Sequence, residues 1–385
     1  MPRTALPLGL VWLTAFNLRV VMFAIPPSLP AIRSDVGLSF SATGSLTALM
    51  VLTLGAASIP GALLTARYGA RRLVAMSGLG LASFTATLTL PPAVFWIFAG
   101  SALLALSIAL AQPPLLVLIR RWFPNAITRA SGLYGNGLLI GNVVGASLSP
   151  YLVTLVGWRD MFLLWAVFVL VGVLLWLRLT PRGNVAAPGL DLAAMARDRR
   201  TWQVTALFTF QNLTYFTVST WLPFLLRSRG PGYLSVVFLF LNCFPVLPLL
   251  LLAIVPWRYA LSTAYYAAAG VMTALGAIGM LLGLADLAWL LAFMVGLGAA
   301  ATFFGALALP ALLAGDESEA AGLSAIMFAA GYVLAFAGPM SAGALVDRTG
   351  QVTAAFWPAV AGGMLMAGIG SLAPRLLARS RATAG

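Results

Sequence analysis

The sequence has no lysine and no histidine, and its 385 residues include one cysteine and nine acids. A single thiol, Cys243, excludes an internal disulfide, and without histidine it excludes a Cys/His metal site. It lies in an apolar run, where a cysteine is ordinarily a small hydrophobe. Charged residues make up only 8% of the chain and hydrophobic ones 61%, whereas a soluble domain carries about a quarter charged residues. That shortage excludes an ordinary soluble domain and predicts an all-α integral membrane protein. The formal charge of +13 comes entirely from 22 arginines. They cluster in short gaps between apolar runs, as membrane topology demands, so no nucleic-acid partner is expected.

Apolar runs of about 20 residues are long enough to cross a bilayer as helices. Twelve such runs are predicted, at about 6–31, 42–65, 73–91, 94–118, 129–156, 159–178, 202–226, 233–255, 260–283, 287–313, 321–346 and 353–373. The first continues too far, and offers no clear cleavage site, to be a signal peptide. With the N-terminus inside, 16 arginines fall on the cytoplasmic side and five outside. This asymmetry predicts cytoplasmic N- and C-termini. The longest polar stretch, 179–201, opens with Pro181, Gly183, Pro188 and Gly189 and continues as a short surface helix from Leu190 to Arg197. It divides the chain into N-terminal (1–178) and C-terminal (202–385) six-helix bundles joined by a cytoplasmic linker. Asn17-Leu18-Arg19 resembles Asn212-Leu213-Thr214, 195 residues on, and 149–157 resembles 341–350 at a nearly equal offset. Such repeats point to a duplicated unit and hence to two pseudo-symmetric halves.

One residue does not fit the apolar pattern. Leu6 to Ile32 contains no charge except Arg19, which falls near the membrane midplane at about 1.5 Å of rise per residue. Estimates for an arginine at that depth run from about 3 to above 10 kcal/mol, and a guanidinium does not deprotonate to escape the cost. No Asp, Glu or His occupies the middle of a span: Asp35, Asp160, Asp191, Asp198, Asp286, Asp316, Glu317, Glu319 and Asp347 all map to loops or span ends. Arg19 therefore has no evident counter-ion inside the membrane, and no side chain is placed as a proton relay. Its expected partner is an anionic or electron-rich substrate, with an attraction of about 4 kcal/mol at 4 Å and an effective dielectric of 20. The alternative is that Arg19 bonds carbonyl or asparagine oxygens and only stiffens the bundle.

Other polar residues are candidates to complete a binding site: Gln112, Asn142, Gln211, Tyr215 and Tyr332, with Asn136 and Asn242 as further positions. Each is also able to serve only as a helix–helix hydrogen bond. Gln112 precedes Pro113-Pro114, where a break in the helix is expected to free carbonyls. Phe16, Phe23, Trp221, Phe303 and Phe304 are candidates to line the cavity, although aromatics in spans are more often packing or lipid-facing. Gly135, Gly137, Gly141 and Gly145 recur at about one turn, a spacing that lets helices approach closely.

Asn17-Leu18-Arg19, Phe123-Pro124 with Ser131-Gly132-Leu133-Tyr134, Gly157-Trp158-Arg159 with Trp165, and Thr201-Trp202-Gln203-Val204 occur in order along the chain. Gln211, Trp221-Leu222-Pro223, Gly331-Tyr332, Gly338-Pro339, Gly343 and Asp347-Arg348-Thr349-Gly350 follow. Together they resemble the major facilitator superfamily, and its cyanate/nitroimidazole transporter branch in particular. The resemblance covers most of the chain and is weakest in spans eight and nine. It implies a small-molecule carrier working by alternating access, two bundles rocking about a midplane site, with cyanate-like anions or nitro-substituted planar heterocycles as precedents. It also implies that span seven lies opposite span one.

One motif departs from the superfamily. Its loop between spans two and three usually reads Gly-x-x-x-Asp-Arg-x-Gly-Arg-Arg, but here Ala66 occupies the acidic position, before Arg67, Gly69, Arg71 and Arg72. The charge latch attributed to that acid cannot operate in its usual form. This loop, with Pro113 and Pro114, is expected to act in conformational change and not in substrate binding. No cofactor or metal is expected, and the protein is expected to act as a monomer in the cell (inner or plasma) membrane. The competing functions are a multidrug exporter of the same superfamily, whose usual acid in span one is an arginine here, a membrane-embedded enzyme, and a non-transporting sensor. The enzyme would need a mid-span base, and the sensor a soluble domain larger than the longest loop.

Overall fold

The computed structural model describes residues 5–91, 93–180, 192–245, 262–314 and 317–370. Among them there is no strand. The helices are α1 (Ala5–Val36), α2 (Phe40–Tyr68), α3 (Ala70–Thr87), α4 (Ala93–Trp122), α5 (Ile127–Leu179), α6 (Leu192–Arg197) and α7 (Arg199–Leu225). They continue as α8 (Gly230–Asn242), α9 (Thr263–Leu281), α10 (Ala288–Leu313), α11 (Glu317–Ala335), α12 (Ala337–Thr349) and α13 (Trp357–Gly370). Eight stretches among the described residues are long and apolar enough to cross a membrane, one of them running from Arg129 to Leu179. Where the chain is described, each expected span falls on helix to within a few residues at its ends, span eleven being divided between α11 and α12 at Phe336. The end of span eight, the start of span nine, the end of span twelve and residues 181–191 of the linker lie outside the described residues, as do Arg3, Arg182, Asp191, Arg258, Asp316, Arg375, Arg379 and Arg381.

Helix ends follow local chemistry. Gly157, at φ 82° and ψ 161°, interrupts α5 and separates expected spans five and six. Only glycine adopts that backbone without strain. Gly69, also at φ 82°, starts α3, and Asp198 caps α7 by accepting from the Arg200 N–H at 2.8 Å. One expectation fails. α4 runs unbroken through Pro113 and Pro114. The prolines still remove two backbone donors, but Gly61 of α2 packs against the carbonyl of Ala109 and the ring of Pro113, and this close packing supports the helix across the missing bonds.

The chain divides into two compact units, Met1–Leu38 with Leu49–Pro188, and Ser39–Ala48 with Gly189–Gly385. In the first, α1 lies along α5. A Cβ on Gly137 or Gly141 would come 2.6 Å from the carbonyl oxygen of Trp12 or Phe16, and one on Gly145 would overlap that of Val20. The four-residue glycine spacing thus brings the two backbones together, the packing anticipated from sequence. Further along α5, Phe168 meets Phe16 edge-on at 5.6 Å, and Met161 lies against Ser28. Arg71, at the start of α3, ties down the end of α5: its Nε donates to Thr180 Oγ1 at 2.8 Å and its Nη2 to the Leu177 carbonyl at 2.7 Å.

The second unit is built on α7, which carries Thr, Gln and Asn through its length yet is mostly buried. Gly331 of α11 packs on Phe208, and Gly362 of α13 on Thr214. At its first turn Arg200 joins three elements, donating to Asp198 Oδ2 at 2.8 Å, the Leu313 carbonyl at 3.0 Å and Glu319 Oε1 at 2.9 Å. Large apolar residues such as Leu155, Val167, Leu282 and Phe95 are exposed, as expected of helices whose solvent is lipid.

Candidate functional site

Arg19 lies in the middle of α1 and is half-buried. Its Cβ sits 3.0 Å from where a Cβ on Gly141 would be, so the guanidinium extends from the glycine-lined seam between α1 and α5. Its Nε is buried and has no hydrogen-bond partner. Among the described residues Arg19 forms no ion pair. Its Cζ lies 6.0 Å from the centroid of the Phe23 ring. The cation is therefore left with unused donor capacity in a helix apolar on both sides.

Elsewhere in the first unit there are more unpartnered polar atoms. Asn142, next to Gly141, has a buried Oδ1 with no partner. Asn17, which entered above through the internal repeat and the resemblance, and Trp165, which entered through the resemblance alone, are both buried, and neither Asn17 Oδ1 nor Trp165 Nε1 has a partner. The signal that could have found Asn17 was an amide in the same apolar run as Arg19; Trp165 gave none. Gln112 is half-buried on α4, and among the described residues it makes no hydrogen bond. Asn136 is engaged differently, accepting from Trp12 Nε1 at 2.9 Å at an exposed position.

The candidates of the second unit gather on α7 and its neighbours. Phe208, Gln211, Asn212 and Tyr215 are spaced three and four residues apart and so share one helical face. Tyr215 donates to Asn242 Oδ1 at 2.5 Å, and Asn242 Nδ2 donates to the Phe238 carbonyl at 2.9 Å. Gln211 is buried and its Oε1 has no partner. Tyr332 is buried in a cluster of rings, 5.1 Å from Phe208 and 6.3 Å from Phe328. The other expected cavity aromatics divide. Phe303 joins the cluster 5.9 Å from Phe208, Trp221 is fully buried against Phe40 and Phe224, and Phe304 is 52% exposed. Trp221 and Phe304 therefore serve packing and the outer surface.

The acids of the described residues stay at helix ends, as expected. Asp35 pairs with Arg159 at 2.5 Å, and Arg159 stacks on Trp158 at 4.3 Å. Asp286 pairs with Arg229. Burial raises the Asp198 carboxyl, but hydrogen bonds and charge from Arg200 outweigh it and hold the group below the ordinary carboxylate value. Among the described residues there is no cluster of acids, cysteine or histidine able to hold a metal ion.

Residues 11–339 match the pattern of the Major Facilitator Superfamily. The chain belongs to that superfamily. It is a multi-pass membrane transporter and not an enzyme. It is 29% identical over 349 residues to the 2-nitroimidazole transporter of Escherichia coli (strain K12), covering 89% of this chain and 88% of that one. It is 28% identical over 215 residues to the cyanate transport protein CynX of the same organism, covering 55% and 56%. These likenesses bear out the resemblance to the cyanate/nitroimidazole branch. Among solved structures, a mutant of the peptide transporter POT superposes with a TM-score of 0.78 at 15% identity, covering 96% of this chain and 94% of that one. That likeness establishes the major facilitator fold.

Proposed function

We propose that this superfamily member is a secondary transporter of a small anionic or electron-rich planar solute, working by alternating access with Arg19 as the principal substrate contact. The observation that carries the reading is the buried, unpartnered Nε of Arg19 on a helix long and apolar enough to span a membrane. Retaining a charge at that depth is costly, and an anion or an electron-rich ring offsets the cost only while it is bound. The names of the relatives, a nitroimidazole transporter and a cyanate transport protein, support the same solute chemistry. Asn142 and Gln112 are the proposed further contacts of the first bundle, and Gln211, Tyr215 and Tyr332 those of the second. The bundles themselves are assigned to 1–178 and 202–385.

The loop of Arg67, Gly69, Arg71 and Arg72, with Pro113 and Pro114, is assigned to conformational change. The arginine asymmetry supports cytoplasmic termini in the cell membrane, and the carrier is assigned as a monomer. An interior-negative potential opposes anion entry by about 2.3 kcal/mol per 100 mV, so uncoupled movement of an anion favours export, and uptake requires exchange or a co-transported cation.

The test is transport by reconstituted protein, with cyanate and 2-nitroimidazole as probes. Arg19→Gln is expected to abolish uptake into proteoliposomes while the variant still inserts and unfolds cooperatively. In parallel, a solute at about 100 times its Kd stabilises the native protein by about 2.7 kcal/mol, and the variant is expected to lose that shift. Transport by Arg19→Gln at the native rate would refute the assignment.

A further inference from the structure

The first turn of α2 is capped by a residue some three hundred positions away. The carboxylate of Asp347 accepts from the Phe40 N–H at 3.1 Å through Oδ1 and from the Ser41 N–H at 2.7 Å through Oδ2. The side chain of Ser39 takes the next donor, the Ala42 N–H, at 3.0 Å. The N–H groups that a helix start leaves without intrahelical partners are thus shared between one local hydroxyl and one carboxylate brought by α12.

Asp347 is placed for α2 and against its own helix. It lies in the last turn of α12, where the helix dipole disfavours an acid, and at the start of α2, where the dipole favours one. Two glycines allow the approach. A Cβ on Gly343, one turn before Asp347, would fall 2.5 Å from the Phe40 carbonyl oxygen, and one on Gly44 would overlap the Pro339 carbonyl. The ring of Phe40 completes the seat against Trp221 and Phe224 of α7, at 6.0 and 5.8 Å. Residues Ser39–Ala48 accordingly group with the second unit, whereas α2 from Leu49 onward belongs to the first.

We infer that Asp347 is a releasable clasp, a conformational positioning residue that sets how often the first turns of α2 leave their seat on α12 and α7. Because α2 is one continuous helix, any movement of its later turns that carries the first turns along has to open this clasp; otherwise α2 bends. The contact is polar, with both partners able to return to water, and the seat beneath is built of glycine backbone and one ring.

The test needs no solute. Thr47, three residues after Gly44 and so on the same helical face, is buried and its hydroxyl has no hydrogen-bond partner, so Thr47→Cys in a Cys243→Ser background reports opening through its rate of maleimide labelling. Asp347→Ala is expected to raise that rate about fivefold, the usual consequence of losing a helix cap. Asp347→Asn, which keeps one acceptor oxygen but no charge, is expected to fall between the two. If Asp347→Ala does not fold, Asp347→Asn and Asp347→Glu carry the comparison. Labelling at the native rate in the folded variants, even with a lowered melting temperature, would show a merely structural cap and overturn the inference.

Discussion

Gly141 holds the helix that carries Arg19 at a distance no other residue permits: a Cβ there would lie 2.6 Å from the Phe16 carbonyl oxygen and 3.0 Å from the Arg19 Cβ. The position of the cation is therefore set by a residue that makes no polar contact with it. Elsewhere in a helix, Gly→Ala gains about 0.5–1 kcal/mol from propensity. At Gly141 the clash is with backbone, which cannot rotate away, and overpacking costs about 1–3 kcal/mol. Gly141→Ala is thus expected to lower the melting temperature and to reduce transport. Gly135→Ala, with nothing within 4 Å of the new carbon, is expected to be neutral or stabilising. Thermal unfolding of the two variants side by side checks the sign.

The end of α5 offers a second prediction. Arg71 uses two atoms of its planar fork, Nε on Thr180 and Nη2 on the Leu177 carbonyl, and its own carbonyl accepts from Trp176 Nε1 at 3.2 Å. Lysine keeps the charge but cannot reproduce that geometry. Arg71→Lys is expected to destabilise by about 1–2 kcal/mol, the net worth of one or two such bonds. Arg72→Lys, at an exposed neighbouring position, is expected to change little. Denaturation midpoints in a mild detergent separate the two.

How much of this was legible in the sequence depends on the range of the interaction. The helices were, because a run of apolar residues reports its own environment, and so was the turn at Gly157. The glycine seam on α5 was visible as a spacing, although the carbonyls it meets on α1 were not. The break expected at Pro113-Pro114 was misread: a proline removes a donor wherever it sits, but whether the helix opens depends on what packs there, here Gly61. The partners of Arg71 lie over a hundred residues away and those of Asp347 about three hundred, and no local pattern encodes such pairs. Arg19 stood out because charge inside an apolar run is anomalous in itself, whereas Trp165 looked like any other membrane tryptophan.

The Arg200 network gives a pH dependence. Because the folded-state carboxyl of Asp198 is held below its ordinary value of 3.8, it contributes stability at all pH values above that point. The contribution is lost as pH falls through the lower, folded-state value. Native protein is therefore expected to show an unfolding temperature that this pair leaves flat from neutral pH to about 5 and that drops below about 4. Asp198→Asn removes the titration and the N-cap charge together. It is expected to lower stability at neutral pH and to flatten the acid limb, which unfolding curves across the range would reveal.

Gln211 poses the sharpest choice between structure and function. A buried amide oxygen without a partner costs about 1–3 kcal/mol, and Gln211 Oε1 is in that state, with its side chain 4% exposed. Leucine is close to it in size and has nothing to satisfy. If the amide is retained to meet a solute, Gln211→Leu is expected to raise the melting temperature and to cut transport in proteoliposomes. If it is instead an ordinary packing residue that water satisfies, the variant loses that hydrogen bond, and stability falls while transport of the folded fraction persists. The two quantities move in opposite directions under the two readings, so measuring both on one variant decides between them.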